Sequence, residues 1–206
     1  MSSSTIAPCL LVASPGLDCP FFRGSVVLLV EHGDDGSLGF VVNKPSSLGF
    51  ADVASQLELP LPAGGRAPAP VMVGGPVQPE SGWLLLGNEA AGAPALEAPS
   101  REDPSEASRG TVRLPHGLTL SASMSALAEV ARGDGPRRSV LLLGYAGWGP
   151  GQLGDEFREG SWIPVDLDPN LLFDLPVDQR WSAALASLGV DPARIVTQAG
   201  GASAQA

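Results

Sequence analysis

Basic residues are scarce in this chain of 206 residues, and lysine is nearly missing: Lys44 stands with eleven arginines against 22 acidic residues, for a net charge of −10. Affinity for nucleic acid rests largely on Lys and Arg contacts to phosphate, and no basic run exceeds Arg137-Arg138, so direct nucleic-acid binding is not expected. The acidic balance suits solubility and regulation through a protein partner or a small ligand. Cysteine is limited to Cys9 and Cys19 and histidine to His32 and His116, with no metal-ligand spacing among them. Two free thiols and no metal site are therefore expected. No apolar run approaches the roughly 18–20 residues of a membrane helix, Val26 to Val30 and Val140 to Leu143 being among the longest. No positive residue precedes the first apolar run, and Pro8 before Cys9 spoils a lipoprotein-type cleavage site, so no export signal is read and a cytoplasmic protein is expected. The G-x-S-x-G, H-E-x-x-H and S-x-x-K signatures are absent, and Pro150 stands where a phosphate-binding loop needs its lysine.

What the chain has in plenty is glycine and proline, 26 and 20 residues, with 44% hydrophobic content. That mix predicts many turns, no long helical bundle, and an α/β (α+β) fold: a single compact domain with a strongly bent mixed sheet flanked by short helices. Residues 9–13 and Ser25 to Glu31 read as buried strands. Asp34-Asp35-Gly36 is a turn, and Leu38 to Asn43 the returning strand of a hairpin. Phe50 to Leu57 has the apolar spacing of one helical face. Val71 to Val73, Trp83 to Leu86, Val112 to Leu114, Leu118 to Leu120, Val140 to Leu143 and Trp162 to Val165 are further strands. Ser123 is placed to cap a helix presenting Met124, Leu127, Ala128 and Ala131, and Gly133 stops it. Further helices are predicted from Gly151 to Arg158, through Leu172 after Asp168-Pro169, and from Pro176 to Leu188. Residues 88–109 offer hardly any large apolar side chain and are expected to form a mobile surface excursion, with 199–206 a flexible tail.

The segment from Gly144 to Gly151 reads as a loop that leaves the Val140–Leu143 strand. Its glycines alternate with Tyr145, Trp148 and Pro150, which lets backbone approach something closely while aromatics flank it. The glycines permit either a tight packed turn or a binding loop, whose free N–H groups at the following helix start could hold an anion. Gly149-Pro150-Gly151-Gln152-Leu153-Gly154 matches the dinucleotide fingerprint formally, but the helix is short and no second βαβ half follows, so no cofactor is expected. Trp148 must plug the core or line a cleft, and its flanking glycines favour the cleft. Glu31-His32 at a strand end is the most reactive-looking pair, and Asn43-Lys44-Pro45 offers the single lysine to an anion. The combined reading is a non-enzymatic binding or regulatory module. Its candidate cleft is lined by Glu31, His32, Asn43, Lys44, Gly74, Gly75, Gly144, Tyr145, Gly147, Trp148, Gly149 and Gly151. The alternative is an enzyme acting on a small anionic ester or nucleotide, with His32 as base.

The ordered blocks Asp18-Cys-Pro-Phe-Phe22, Ser25-Val-Val27, Glu31-His32, Gly36 to Gly39 with Asn43-Lys-Pro45, and Gly74-Gly-Pro-Val77 resemble the YqgE/AlgH family of bacterial proteins. So do Gly144-Tyr-Ala-Gly-Trp-Gly149 with Gly151-Gln-Leu153, Trp162, Leu172-Phe-Asp174 and Arg180-Trp181. The resemblance runs from about residue 9 to 195. It implies an α/β single-domain fold with strongly bent sheets and carries over a regulator label but no catalytic residue. The sequence departs from the family pattern at Ser81, where a basic residue often follows Glu80, and at Leu86, where a histidine is common.

Overall fold

A computed structural model of the chain describes residues 6–61, 69–87 and 110–189. The excursion expected at 88–109 and the tail expected at 199–206 lie outside the described residues. Contacts divide the chain into two compact units, Met1–Asn43 with Gly147–Ala206, and Lys44–Ala146.

The first unit is built on four antiparallel strands in the order β9-β1-β2-β3: β1 (Cys9–Ala13), β2 (Val26–Gly33), β3 (Gly36–Val41) and β9 (Trp162–Val165). Their runs of Val and Leu suit strands covered on both faces, and Leu10, Leu11, Val27 and Leu28 are all fully buried. A register shift between Leu29 and Glu31 bends β2 and turns its polar end outward. Among the described residues three helices belong to this unit: α3 (Gln152–Arg158), α4 (Pro169–Phe173) and α5 (Arg180–Ser187). Asp168 caps α4 as its sequence suggests, accepting from the Asn170 N–H at 2.9 Å. The helix expected from Pro176 is instead a 3₁₀ turn, Val177–Gln179, followed by α5. Arg180 fixes that junction. Its buried guanidinium donates through Nε to the Leu175 carbonyl at 3.2 Å and through Nη1 to the Val42 carbonyl. Burial lowers its pKa from the ordinary arginine value. The neighbouring Trp181 indole donates to the Ala13 carbonyl at 2.8 Å, tying α5 to β1.

The second unit orders its antiparallel strands β6-β7-β5-β8, namely β6 (Thr111–Leu114), β7 (Leu118–Ser121), β5 (Val77–Gly87) and β8 (Arg138–Trp148), with β4 (Val71–Val73) parallel to β8. Strand β8 belongs to this unit as far as Ala146. A register shift between Val77 and Gly82 bends β5. Period-two alternation sends Leu84, Leu86 and Leu141 to one face, where they pack against α1 (Phe50–Gln56) and α2 (Met124–Arg132). Gly133, in the left-handed region at φ 84°, ends α2 as expected. Ser123 occupies the N-cap position, but its hydroxyl pairs with Ser125 Oγ at 2.7 Å and caps no backbone N–H.

Both cysteines are free, as expected, and Cys9 is buried in β1. Burial first, and the Asp166 carboxylate second, push its thiol from 9.0 to about 11. A raised thiol pKa supports the folded state only while the group stays protonated in both states. Above about pH 9 the unfolded chain releases this proton and the folded chain does not, so stability should fall between about pH 9 and 11. Urea unfolding at about pH 8 and about pH 10.5 should show a smaller drop for Cys9→Ala than for the unaltered protein. An equal drop would remove the thiol as its cause.

Candidate functional site

The twelve residues singled out in the sequence fall into both units. In the first unit Glu31 is exposed, opposite Leu38 across the hairpin. His32 Nδ1 lies 2.8 Å from Ser37 Oγ, the bond of a polar strand end to its own hairpin. Asn43 spends both ends of its amide on backbone, Oδ1 accepting from Val26 N–H at 2.7 Å and Nδ2 donating to the Gly24 carbonyl at 2.8 Å.

Trp148 corrects the cleft-lining expectation. It is the last residue of β8, and only 5% exposed. Its ring stacks on Phe22 at 6.3 Å and meets Trp162 edge-on at 5.9 Å, while Phe22 and Trp162 meet at 5.5 Å. Glu156 organises this cluster, its Oε2 accepting both indole N–H groups, from Trp148 at 2.9 Å and from Trp162 at 2.6 Å. Glu156 Oε1 accepts from Gln152 Nε2 at 2.9 Å, and Gln152 Oε1 accepts the Gly149 N–H at 3.0 Å. The Gly149 N–H that could have met an anion is thereby occupied. Gly147 is exposed within β8, and Gly151 sits at φ 75° as the N-cap of α3.

In the second unit the glycines are places of close backbone approach. A Cβ on Gly74 would stand 2.4 Å from the Gly144 carbonyl oxygen, and one on Gly75 2.0 Å from the Tyr145 carbonyl. Tyr145 is half-buried and pairs with Val77. The Lys44 carbonyl accepts the Val73 N–H at 2.8 Å, which ties the start of this unit to β4.

A cleft that the sequence reading did not single out lies wholly within the second unit. It has a volume of about 270 Å³ and opens between α1 and α2 over the β5/β8 face. Its floor is Leu84, Leu127 and Leu141, all buried, and its mouth carries Leu48, Leu57 and Met124, exposed by 40, 42 and 52%. Gln56, Glu80, Ser121 and Ser123 add polar groups. Glu80 is the single ionisable side chain among the described lining residues. The Ser121 hydroxyl is already engaged, 3.0 Å from Thr111 Oγ1 and accepting from Ser123 N–H at 3.2 Å. The groups turned to the cleft are thus mostly aliphatic.

A family model described as AlgH-like matches residues 10–193. The chain belongs to the AlgH-like family. A UPF0301 protein of Anaeromyxobacter dehalogenans is 43% identical, the match covering 97% of this chain and 96% of that protein. One from Ruegeria pomeroyi is 38% identical over 93% of this chain and 96% of its own length. The solution structure of the AlgH protein from Pseudomonas aeruginosa superimposes with a TM-score of 0.71 at 35% identity, covering 98% of both chains. A crystal structure of a Corynebacterium diphtheriae protein, at 24% identity and a TM-score of 0.64 over 91% of this chain and 90% of that one, shares the fold. The fold class is that of the AlgH structure: a single α+β domain with a curled, largely antiparallel sheet and several short helices.

Much of the AlgH-like motif set has a structural role here. Asn43 clamps the approach to β2, Trp148 and Trp162 share Glu156, Gly74, Gly75 and Gly144 allow backbone contact, and Arg180 and Trp181 hold α5. The cleft residues left a faint trace: Met124 and Leu57 continue the apolar stripes of their helices past the last buried turn, Leu127 and Ala54. An apolar stripe longer than its core contact is the available signal.

Proposed function

We propose that this AlgH-like chain is a cytoplasmic, non-enzymatic binding or regulatory protein that takes an apolar group of a small ligand or protein partner into the cleft between α1 and α2. One observation carries the reading. Among the described residues five large hydrophobics are exposed, Leu48, Leu57, Leu61, Met124 and Leu188, and three of them ring the same cavity. Isolated surface leucines are ordinary, whereas a cluster around a concave apolar site with a polar rim is the usual form of an interaction surface. General acid–base work calls for positioned proton donors and acceptors, and a lining whose ionisable member is Glu80 favours binding over turnover. Among the described residues no helix is long and apolar enough to cross a membrane.

A neutral apolar dye, N-phenyl-1-naphthylamine, tests this reading. Its fluorescence should rise saturably with one site per chain. Leu57→Ser with Met124→Ser, both at exposed positions, should weaken binding at least about tenfold while leaving the unfolding midpoint nearly unchanged. Non-saturable binding, or equal affinity in the double variant, would overturn it.

A further inference from the structure

We infer that the occupant of this cleft is a short amphipathic helix of a basic protein partner, its apolar face laid between α1 and α2 and its Lys or Arg side chains beside Glu80. The inference rests on the binding reading above and names the partner's chemistry. Size is the first argument. Drug-sized ligands occupy roughly 300–1,000 Å³, and an apolar cavity of about 150 Å³ accepts one benzene, so a volume of about 270 Å³ encloses roughly two rings of a ligand such as the naphthylamine dye and leaves its third on the mouth. That is room for one or two anchoring side chains.

The second argument is what surrounds the hole. Leu48, Leu57 and Met124 continue the apolar surface outward from the cavity and are about half exposed. A molecule that only filled the cavity would leave them in water. A helix with apolar side chains at i, i+3, i+4 and i+7 sends one or two into the hole and lays the others on the mouth.

Charge selects the partner's sign. Among the described residues the lining holds Glu80 and no Lys or Arg. Glu58, exposed, directly follows Leu57 in the chain. Arg132, at the far end of α2 from Met124, is already paired with Asp134 at 3.2 Å. The chain as a whole, at −10, repels its own copies, and the cleft-bearing unit holds ten acidic against eight basic residues, so it favours a basic segment over an acidic one. Residues 88–109 of the chain itself are a poor match by composition, with four Glu and one Asp against two Arg, and Leu96 their one large aliphatic side chain.

The test uses the full chain and fluorescein-labelled synthetic helical peptides of about 14 residues, long enough for marginal helicity. One peptide carries Leu at i, i+3, i+4 and i+7 with Lys on the flanks; a second replaces Lys by Glu, and a third replaces Leu by Ser. The Leu/Lys peptide should raise anisotropy saturably, displace the dye, and lose affinity as salt is added. The other two should bind several-fold more weakly or not at all. Glu80→Gln should narrow the preference for Lys over Glu, and Leu57→Ser with Met124→Ser should weaken the Leu/Lys peptide at least about tenfold. Saturable dye binding with no displacement by that peptide would overturn the helix inference and leave the cavity reading standing, whereas failure of the dye itself removes both. Equal binding of the Glu peptide, a rise in dye affinity on deleting residues 88–109 without peptide competition, or a self-association abolished by the double variant would each overturn the inference. The last two would assign the cleft to the chain's own segment or to a second copy.

Discussion

Truncating Trp148 to alanine is expected to cost about 3–5 kcal/mol of folding stability, the range for removing a large buried aromatic. The ring is 5% exposed, stacks on Phe22 and meets Trp162 edge to face, so its removal opens a cavity between two aromatics that cannot both close it. It also takes from Glu156 one of the two indole donors that converge on Oε2. Glu156→Gln separates the two contributions. An amide can offer its oxygen to the indoles only by turning its NH₂ toward the Gln152 donor, which costs one hydrogen bond and leaves the packing intact, for a loss of about 1–3 kcal/mol. Urea unfolding followed by near-ultraviolet circular dichroism reads both variants. A loss under about 1 kcal/mol for Trp148→Ala would show that the ring lies loosely, and would return this residue to the surface role its flanking glycines suggested.

Those glycines mark where the sequence was legible and where it was not. Runs such as Val26 to Val30 and Val140 to Leu143 declare strands because β-branched and aliphatic residues without helical spacing leave few alternatives. A turn whose Asp and Gly residues suit a hairpin precedes the return strand, which was expected from Leu38 to Asn43 and forms as Gly36–Val41. Strand β8 went further than its composition suggested, to Trp148. Glycine has low strand propensity because it brings no side chain to pack, so Gly144, Gly147 and Gly149 look like a loop. For Gly144 the compensating fact is long-range: it accepts the backbone around Gly75 and Val77, nearly seventy residues earlier, and no local pattern announces that contact.

The candidate site was hidden for a related reason. Its lining is drawn from four separated stretches, 48–57, 79–84, 121–127 and 141–143, and none of them stands out in isolation. Leu57 and Leu127 are indistinguishable as letters on an apolar stripe. Folding makes one 42% exposed and the other 7%. Chemistry-bearing residues attract a sequence reader, and here His32 and Asn43 have ordinary local partners while the open surface is aliphatic. Charge, by contrast, was legible from composition alone.

Gly75→Ala should be the most disruptive single methyl that can be added to the second unit. The new Cβ would lie 2.0 Å from both the carbonyl carbon and oxygen of Tyr145 and 2.3 Å from the Ala146 nitrogen, all backbone atoms of β8 that no rotamer change can move. Relief requires the segment after β4 to separate from β8, and Gly144 blocks the compensating shift. It holds φ 71°, with its own Cβ position 2.6 Å from the Gly75 carbonyl oxygen and 2.8 Å from that of Val77. The loss should therefore reach or exceed the top of the roughly 1–3 kcal/mol typical of overpacking. Gly82→Ala is the matched control. It lies in β5, a Cβ there meets nothing nearer than Leu141 Cδ1 at 3.7 Å, and strand glycine is less favourable than alanine by roughly 0.5–1 kcal/mol. Its unfolding midpoint should stay level or rise while that of Gly75→Ala falls steeply. Similar midpoints for the two variants would mean that the backbone at Gly75 has room to yield, and the glycine would then need an explanation other than close packing against β8.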